Sequence, residues 1–472
     1  MKIESKTKII ATIGPATDSL SKMKELLLAG VDVFRFNTKH ATTEWHNERI
    51  KRAQRAAILT KKRVGIMIDL QGGEIRIETR GGEEIFLKKN ENLLIGQSLC
   101  SQEAMITLSD VRLFKKIKVG DIFLISDGAI ELKVVKKEAD LITAKVIDGG
   151  VVKNRASANF PGFKSSLSSL IKRDLDHLEA AAKNNVTFIA LSFVSSAEEI
   201  RILKKEMIKR KFKALTVAKI ENQSALENID EIIKEADNVM IARGDLGIEV
   251  PIEQLAFWQK EIIKKCRRNR KPVIVATQML YSMTDNPRPT RAEAIDVANA
   301  VLDGTDAVLL SEETAIGQYP RESVLEMAKI LEFNEKNAHF EEMEEAFINP
   351  AEFVIGAIAK KMEKKDILVK LKIKKVIVFT ESGYTARILS ALRPKIRMET
   401  FTNNQVTADT LSLSYGVNIH YRQIDFQGKT LEEIVENLKK VKFLSKGEVV
   451  AVFHGRSEKN PDLLNLFSLI KI

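Results

Sequence analysis

Apolar and polar positions along the chain follow two alternating rhythms. Short β-branched runs, apolar on both faces, are each followed by a stretch in which apolar residues recur every three to four positions, the spacing of one helical face. In order the runs read Lys8 to Gly14, Val31 to Asn37, Val64 to Asp69, Val186 to Phe193, Leu215 to Ile220, Asn238 to Ala242, Pro272 to Thr277 and Ala307 to Ser311. Such alternation predicts parallel sheet with crossover helices. Eight units with strands of this two-sided character predict an α/β chain built on a closed (β/α)8 TIM barrel, not an open doubly wound sheet.

The rhythm breaks between the third and fourth runs. From about Glu74 to Ala158 the helical spacing is absent and short strand-like runs appear at Asp121 to Ile125, Glu131 to Val135 and Leu141 to Val146, with turns at Asp127-Gly128 and Asp148-Gly149-Gly150. This predicts a small β-barrel domain, residues 74–158, inserted as a lid at the barrel's active-site face. The barrel itself takes residues 1–73 and 159–335. Beyond it, Glu322 to Glu344 reads as a charged helix, and strands at Lys375 to Thr380, Val417 to Tyr421 and Val449 to Phe453 predict a separate C-terminal α/β domain of regulatory type over residues 345–472.

Composition narrows the picture without deciding it. A chain of 472 residues, 44% hydrophobic, has ample material for several cores. The start, MKIESKTKIIATIGPATDS, lacks an apolar stretch of signal-peptide length, and no run of about 18 uncharged apolar residues occurs. A soluble, cytoplasmic protein with no membrane partner is expected. Cys100 and Cys266 are far apart and have no metal-ligand spacing, so neither a disulfide framework nor a zinc site is supported. The net charge of +11 suits phosphorylated substrates as well as polyanions. The run Lys264, Lys265, Arg267, Arg268, Arg270 and Lys271 has no interleaved aromatics, which speaks against a nucleic-acid groove.

In a barrel of this kind catalytic groups come from the C-terminal ends of several strands. The second run ends in Arg35, Asn37, Lys39 and His40; the third in Asp69, with Arg76 beyond it; the fifth in Lys219 and Glu221; the sixth in Arg243, Gly244 and Asp245; the seventh in Thr277 and Gln278; the eighth in Ser311, Glu312 and Glu313. Glu221 and Asp245 can share a hard divalent cation through oxygen. Arginine and lysine beside them suit a phosphoryl group in transfer. Taken singly, Lys219 with Glu221 or Arg243 with Asp245 also reads as a plain rim salt bridge. So many strand ends supplying compatible groups favour a phosphoryl-transfer or enolate-stabilising site.

The segments KIIATIGPAT, VAKIENQ, NVMIARGDLGIEVP, PVIVATQML and NPRPTRAEAIDVANAVLDGTDAVLLSEET resemble those of pyruvate kinases, and with the middle domain the resemblance spans nearly the whole chain. It implies a glycolytic phosphotransferase acting on phosphoenolpyruvate and ADP, using Mg²⁺ or Mn²⁺ and assembling as a homotetramer. Lys219 would bridge the phosphoryl group and stabilise the enolate. Glu221 and Asp245 would hold the metal, Gly244 would offer its N–H to the substrate carboxylate, and Arg35 would grip phosphoryl oxygens. Thr277 would relay a proton to the enolate, with Ser311 in the same network. Pro15, Asn37, His40 and Arg76 match the nucleotide site, and Asp127 the lid segment near the phosphates. One nucleotide lysine is replaced, the pair reading Arg155-Ala156.

Potassium-dependent relatives hold K⁺ with Asn, Ser, Asp and Thr; here the positions read Asn37, Lys39, Asp69 and Leu70. Potassium-independent members resemble this chain at Leu70-Gln71 and Ile77, although Glu74 departs from the lysine they often carry. K⁺ is therefore expected to be dispensable, with the Lys39 ammonium in its place. In VIVFTESGYTAR, Thr380, Ser382, Gly383 and Thr385 form a strand-to-helix turn that resembles the family's phosphate-binding effector loop. The closing segment, GRSEKNPDLLN, has lost most of the glycines that would approach a phosphate. Two other readings compete. A Mg²⁺-dependent aldolase or mutase barrel would need neither lid nor third domain. A degenerate kinase kept as a binding protein is suggested by Lys39, Ala156, Glu312 and Tyr281, but Arg35, Lys219, Glu221, Asp245 and Thr277 all survive.

Overall fold

The computed structural model describes residues 5–98, 103–163, 168–340, 350–363, 370–424, 426, 429–454 and 466–472. Cys100, the end of the predicted helix at Glu344 and the whole GRSEKNPDLLN segment lie outside them. Eight parallel strands, β1 (Lys8–Thr12), β2 (Val33–Asn37), β3 (Gly65–Asp69), β4 (Phe188–Leu191), β5 (Leu215–Ile220), β6 (Asn238–Ala242), β7 (Val273–Ala276) and β8 (Ala307–Leu310), close into a barrel in which β1 pairs with both β2 and β8. Each lies within one of the eight predicted runs.

The period of two along a strand decides what goes where. Inward positions such as Ile10, Val33, Met67, Phe188, Val217, Met240 and Ile274 fill the barrel interior. Their neighbours, among them Ile9, Phe34, Ile68, Ile189, Ala218, Ile241 and Val275, face the helical ring and join a second, larger cluster. Both faces are therefore apolar, which explains the unbroken character of the runs. Continuing the inward parity by two residues leads from Val33 to Arg35, from Met67 to Asp69 and from Val217 to Lys219, so polar residues arrive inside the barrel only at its C-terminal mouth.

The opposite mouth is closed by the C-terminal domain. Leu413 enters the interior cluster from below, Lys8 Nζ donates to the Val417 carbonyl at 2.7 Å and the Gly416 N–H to the Lys6 carbonyl at 2.9 Å. A side chain at Gly65 would meet the Ser412 hydroxyl at 2.8 Å, so glycine there permits the close approach. Arg393, fully buried, donates to Asp306 at 2.8 Å and to the Gly304 carbonyl. Its sheet runs in the order Val417–Tyr421, Met398–Thr402, Ile373–Phe379, Val449–His454, Leu466–Lys471. The helix after the barrel, Pro320–Asn337, ends before the predicted Glu344. Ala338 is extended, and Phe340 packs edge-on to Tyr415, so the chain leaves the helix to dock on the third domain.

The insertion is a β domain with its own core around Phe123, Leu132, Ile142 and Ala144. Seven of its strands form one sheet, ordered Ala158–Asn159, Ile122–Ile125, Ile130–Lys137, Leu141–Asp148, Asn92–Gly96, Ile106–Leu108, Ile77–Thr79. At the predicted Asp127-Gly128 turn, Ser126, Asp127 and Gly128 all take positive φ. Among the described residues no helix is long and apolar enough to cross a membrane.

Beside the barrel, His46 and His177 meet edge-on at 5.3 Å, both buried, and neither ring nitrogen of His177 has a hydrogen-bond partner. Burial lowers both pKa values, that of His177 from 6.5 to about 4. The folded protein keeps the ring neutral while the unfolded chain protonates it, so this contribution is complete above pH 6.5 and is lost as pH falls towards 4. The shift corresponds to about 3 kcal/mol. Denaturant titrations at pH 7 and pH 4 are expected to show wild type losing about that much more stability than His177→Leu; equal losses would mean that the ring is not buried neutral.

Candidate active site

Asp69 and Glu221 are each 1% exposed at the C-terminal mouth. Between them lies Lys219, whose Nζ is 3.3 Å from Asp69 Oδ1 and 2.8 Å from Glu221 Oε1 and donates to Ser192 Oγ at 2.8 Å. Arg35 closes the other side of Asp69, its Nη2 and Nε at 2.7 and 2.8 Å from Oδ2, while its Nη1 reaches Thr12 Oγ1 at 3.0 Å. Burial alone would raise the Asp69 pKa, but Lys219 and Arg35 outweigh it and hold the carboxyl below its ordinary range. Likewise burial opposes the charge on Lys219, and Asp69 and Glu221 overcome it, pushing its pKa well above that of an ordinary lysine. The result is a permanently charged, dry ammonium at the centre of the barrel mouth.

Asp245 lies in the first turn of the helix Arg243–Glu249, directly after β6. Burial, then repulsion from Glu221, raises its pKa to about 7. Two carboxylates that repel each other, Glu221 buried and Asp245 half-buried, are a place where a cation is stabilising. Among the described residues no group of three or more His, Cys, Asp and Glu is arranged for a metal. A donor set of two carboxylates, completed by water and substrate oxygens, fits Mg²⁺ and not a structural zinc. The Gly244 N–H donates to Thr277 Oγ1 at 2.7 Å, and that hydroxyl donates to the Ala276 carbonyl at 2.6 Å. Thr277 and Gln278 have φ of 70° and 53°, a left-handed conformation costing about 1–3 kcal/mol at each non-glycine residue.

Lys39 projects from the turn after β2, its Nζ 3.4 Å from Glu74 Oε2 and 5.4 Å from the centre of the Phe193 ring. Glu74 also pairs with Arg76, so two cations share one carboxylate. Asn37 Oδ1 accepts the Lys39 N–H at 3.1 Å, and Leu70 is buried. The turn after β3 is held by Asp174, buried on helix Lys172–Lys183, which accepts the N–H groups of Gln71 at 2.9 Å and Gly72 at 3.1 Å. Three contact groups thus meet at the mouth, Arg35–Asp69–Lys219–Glu221, Gly244–Thr277 and Lys39–Glu74–Arg76, and Asp245 feels the charges of Glu221, Lys219 and Lys39.

The other sequence-derived candidates are spread around it. Pro15 is exposed after β1, and His40 is exposed after β2 with its carbonyl 3.0 Å from His46 Nε2. Arg76 stands at the lid junction, donating to the Arg155 carbonyl at 3.0 Å. Ser311 is buried, its N–H on Glu313 Oε2 at 2.7 Å. On the lid, Asp127 accepts the Ser157 hydroxyl at 2.7 Å, and Gly128 approaches Ile248 on the barrel. The distant turn at Thr380 is occupied with itself: Thr380 Oγ1 accepts from Gly383 N at 2.9 Å and Ser382 Oγ from Tyr384 N at 3.3 Å, with Thr385 buried. A polar cavity of about 560 Å³ lies between the barrel's N-terminal face and strand Val417–Tyr421, far from the paired carboxylates.

Sequence reasoning passed over Ser192, which follows β4 and holds Lys219. Its signal was a lone hydroxyl near the end of the fourth run, in Ala190-Leu191-Ser192-Phe193, which was not collected with the other strand ends. Asp174 was also missed, because nothing in a helix of ordinary composition marks one carboxylate as a loop anchor.

Comparison with known proteins agrees with this architecture. Residues 4–324 match the pyruvate kinase barrel domain and residues 362–470 the pyruvate kinase alpha/beta domain. The chain is 39% identical to the pyruvate kinase of Bacillus licheniformis over 87% of its own length and 71% of the relative's. With that of Thermococcus litoralis it shares 37% identity over 93% of both chains. The crystal structure of a pyruvate kinase from Cryptosporidium parvum superposes with a TM-score of 0.89 at 31% identity, covering 99% of this chain and 96% of that one. On sequence and fold alike, the chain belongs to the pyruvate kinase family.

Proposed function

We propose that this phosphotransferase moves the phosphoryl group of phosphoenolpyruvate to ADP, giving pyruvate and ATP in glycolysis, with the Lys39 ammonium in place of a bound monovalent cation. The observation that carries the reading is the buried Asp69–Lys219–Glu221 chain, flanked by Arg35 on one side and Asp245 on the other. Fixed charge in a water-poor mouth stabilises charge that develops during transfer without having to reorganise. Lys219, held by three partners, sits where a phosphoryl group leaving one oxygen for another would be bridged. Arg35 offers its fork to phosphoryl oxygens. Mg²⁺ or Mn²⁺ held by Glu221 and Asp245 would neutralise charge on the substrate oxygens. The Gly244 N–H, which meets Thr277 Oγ1 at 2.7 Å, would exchange that acceptor for the substrate carboxylate, and the Thr277 hydroxyl, turning from the Ala276 carbonyl, would relay a proton to the enolate with Ser311 in the same network. ADP would lie along Pro15, Asn37, His40 and Arg76, beneath the lid aspartate Asp127.

Lys39 supports the potassium-free reading because its ammonium, 3.4 Å from Glu74 Oε2, adds positive charge to the same mouth: after Lys219, it opposes the rise that burial and Glu221 impose on the Asp245 pKa. Steady-state ADP phosphorylation with Mg²⁺ tests the proposal, first in buffer free of K⁺ and Na⁺ and then with K⁺ added. Full turnover without K⁺ is expected; strict K⁺ dependence would refute the Lys39 assignment, and no turnover in either buffer would refute the kinase itself.

We also propose a homotetramer. Barrel helices Leu255–Arg268 and Arg291–Asp303 are linked by Gln259 to Asp303 at 2.9 Å, and they present exposed Phe257 and Ile295. Exposed apolar groups on adjoining helices suit a partner copy. Sedimentation of wild type is expected to give four times the chain mass, and Phe257→Glu with Ile295→Glu a smaller species; a wild-type monomer would exclude the assembly.

A further inference from the structure

The left-handed pair Thr277 and Gln278 at the end of β7 would relax unless its surroundings held it, all the more because Thr277 is β-branched. Opposite charges hold the turn from its two sides. From the end of β6, Arg243 Nη2 donates to the Thr277 carbonyl at 2.7 Å and, at 3.4 Å, to that of Gln278, and it lies 2.9 Å from Met279 Sδ. Its Nη1 is anchored on Asp296 at 2.7 Å and lies 3.4 Å from Gln259 Oε1. From the segment after β8, Glu313, 1% exposed, accepts the N–H of Leu280 at 3.0 Å and that of Ser311 at 2.7 Å. The cation takes the carbonyls of the turn and the anion takes the amide at its far end, each making charge-assisted bonds. Arg243 also begins the short helix that carries Gly244 and Asp245, so one guanidinium ties the carboxylate side of the site to the hydroxyl side.

We infer that Arg243 and Glu313 are positioning residues that clamp the strained Thr277–Gln278 turn and so aim the Thr277 hydroxyl for proton transfer to the enolate. The inference rests on the relay role proposed above for Thr277. Neither clamp residue needs to touch substrate. Arg243 is 8% exposed and its donors are directed at the turn and its anchors, leaving Arg35 and Lys219 for the phosphoryl group. A hydroxyl displaced by about 1 Å can cost a factor of 10² in rate with little change in binding.

The experiment follows two reactions in Arg243→Lys, Glu313→Gln, Thr277→Ala and the Arg243→Lys/Thr277→Ala double variant. One is ADP phosphorylation; the other is exchange of pyruvate methyl protons with D₂O in the presence of Mg²⁺ and ATP, read by NMR. Lysine keeps the charge but loses the fork, so Arg243→Lys is expected to lower exchange and kcat together by about 100-fold, with KM for phosphoenolpyruvate within about threefold. Adding Thr277→Ala should lower exchange no further, because the hydroxyl is already misplaced. A purely structural role would instead raise KM, lower the melting temperature and add to the threonine loss, and would overturn the inference. If Thr277→Ala abolishes exchange while both clamp variants keep it, the clamp fails and the relay stands; if Thr277→Ala itself exchanges normally, the relay reading fails first. Asp296→Asn, which loosens the anchor and leaves the arginine in place, covers the case in which Arg243→Lys does not fold. It is expected to reduce exchange about tenfold at unchanged KM, and normal exchange would count against the clamp.

Discussion

Lys219→Met is expected to lower ADP phosphorylation by at least about 1,000-fold at every pH between 6 and 9, and to destabilise the barrel at the same time. The kinetic loss follows from removing a fixed charge that no other group can supply at that point, an effect of about 10²–10³ for a single hydrogen-bond donor and greater for a full ammonium in a dry site. The pH independence follows from the raised pKa: Asp69 and Glu221 outweigh burial, so the lysine stays protonated throughout that range. The stability loss arises because both carboxylates, each 1% exposed, lose their common partner. Removing one member of a buried ion pair costs about 3–5 kcal/mol, here at the lower end because Arg35 still neutralises Asp69.

Three measurements separate the possible causes: kcat, the melting temperature, and Mn²⁺ affinity by electron paramagnetic resonance. Loss of Lys219 makes the surroundings of Glu221 and Asp245 more negative, so the variant should bind Mn²⁺ at least as tightly as wild type. An inactive, metal-competent, folded protein assigns the ammonium to the transfer itself. Turnover within tenfold of wild type would show that Lys219 only balances charge.

How much of this could be read from the chain depends on which signals are local. The barrel was legible because its strands are buried on both sides and its helices on one, two periodicities that survive in any window of the sequence. The mouth was legible because inward parity forces a change from apolar to polar at one end of each strand, as at Val217, Lys219 and Glu221. The insertion's short strands, such as Ile77–Thr79 and Ile106–Leu108, were not foreseen because three residues carry too short an alternation. Met398–Thr402, reading METFT, was missed because Glu399 interrupts its apolar pattern; in the fold that carboxylate meets His420 Nε2 at 2.6 Å. Ser192 and Asp174 escaped notice because their partners are distant in sequence. A serine among apolar neighbours marks a polar strand end, but nothing in its own segment names the lysine 27 positions away that it holds. The clamp on Thr277 is of the same kind: Arg243 and Glu313 stood among the strand ends, but their common target became visible only from backbone angles and donor directions.

The second large effect is expected at Lys39. Lys39→Met should lower turnover by about 100-fold, and added K⁺ should not restore it, since Leu70 is buried and offers no side-chain oxygen to a cation. Lys39→Ser with Leu70→Thr rebuilds two hydroxyl ligands beside Asn37 and Asp69, and this double variant should be nearly inactive in K⁺-free buffer and recover when K⁺ is supplied. The magnitude follows from a unit charge about 4 Å from the reacting group at an effective dielectric near 20, roughly 4 kcal/mol; partial exposure of the Lys39 side chain reduces this towards the two decades expected. Glu74 does not cancel the effect, because it is shared between Lys39 and Arg76 and the three groups together remain positive. Steady-state rates in tetramethylammonium and potassium buffers, measured for all three proteins, decide the matter. If the double variant exceeds wild type in K⁺ and wild type is weak in both salts, Lys39 is a surface lysine beside a damaged cation site. If wild type is fully active without K⁺ and only the double variant responds to it, the chain carries its monovalent cation as a side chain.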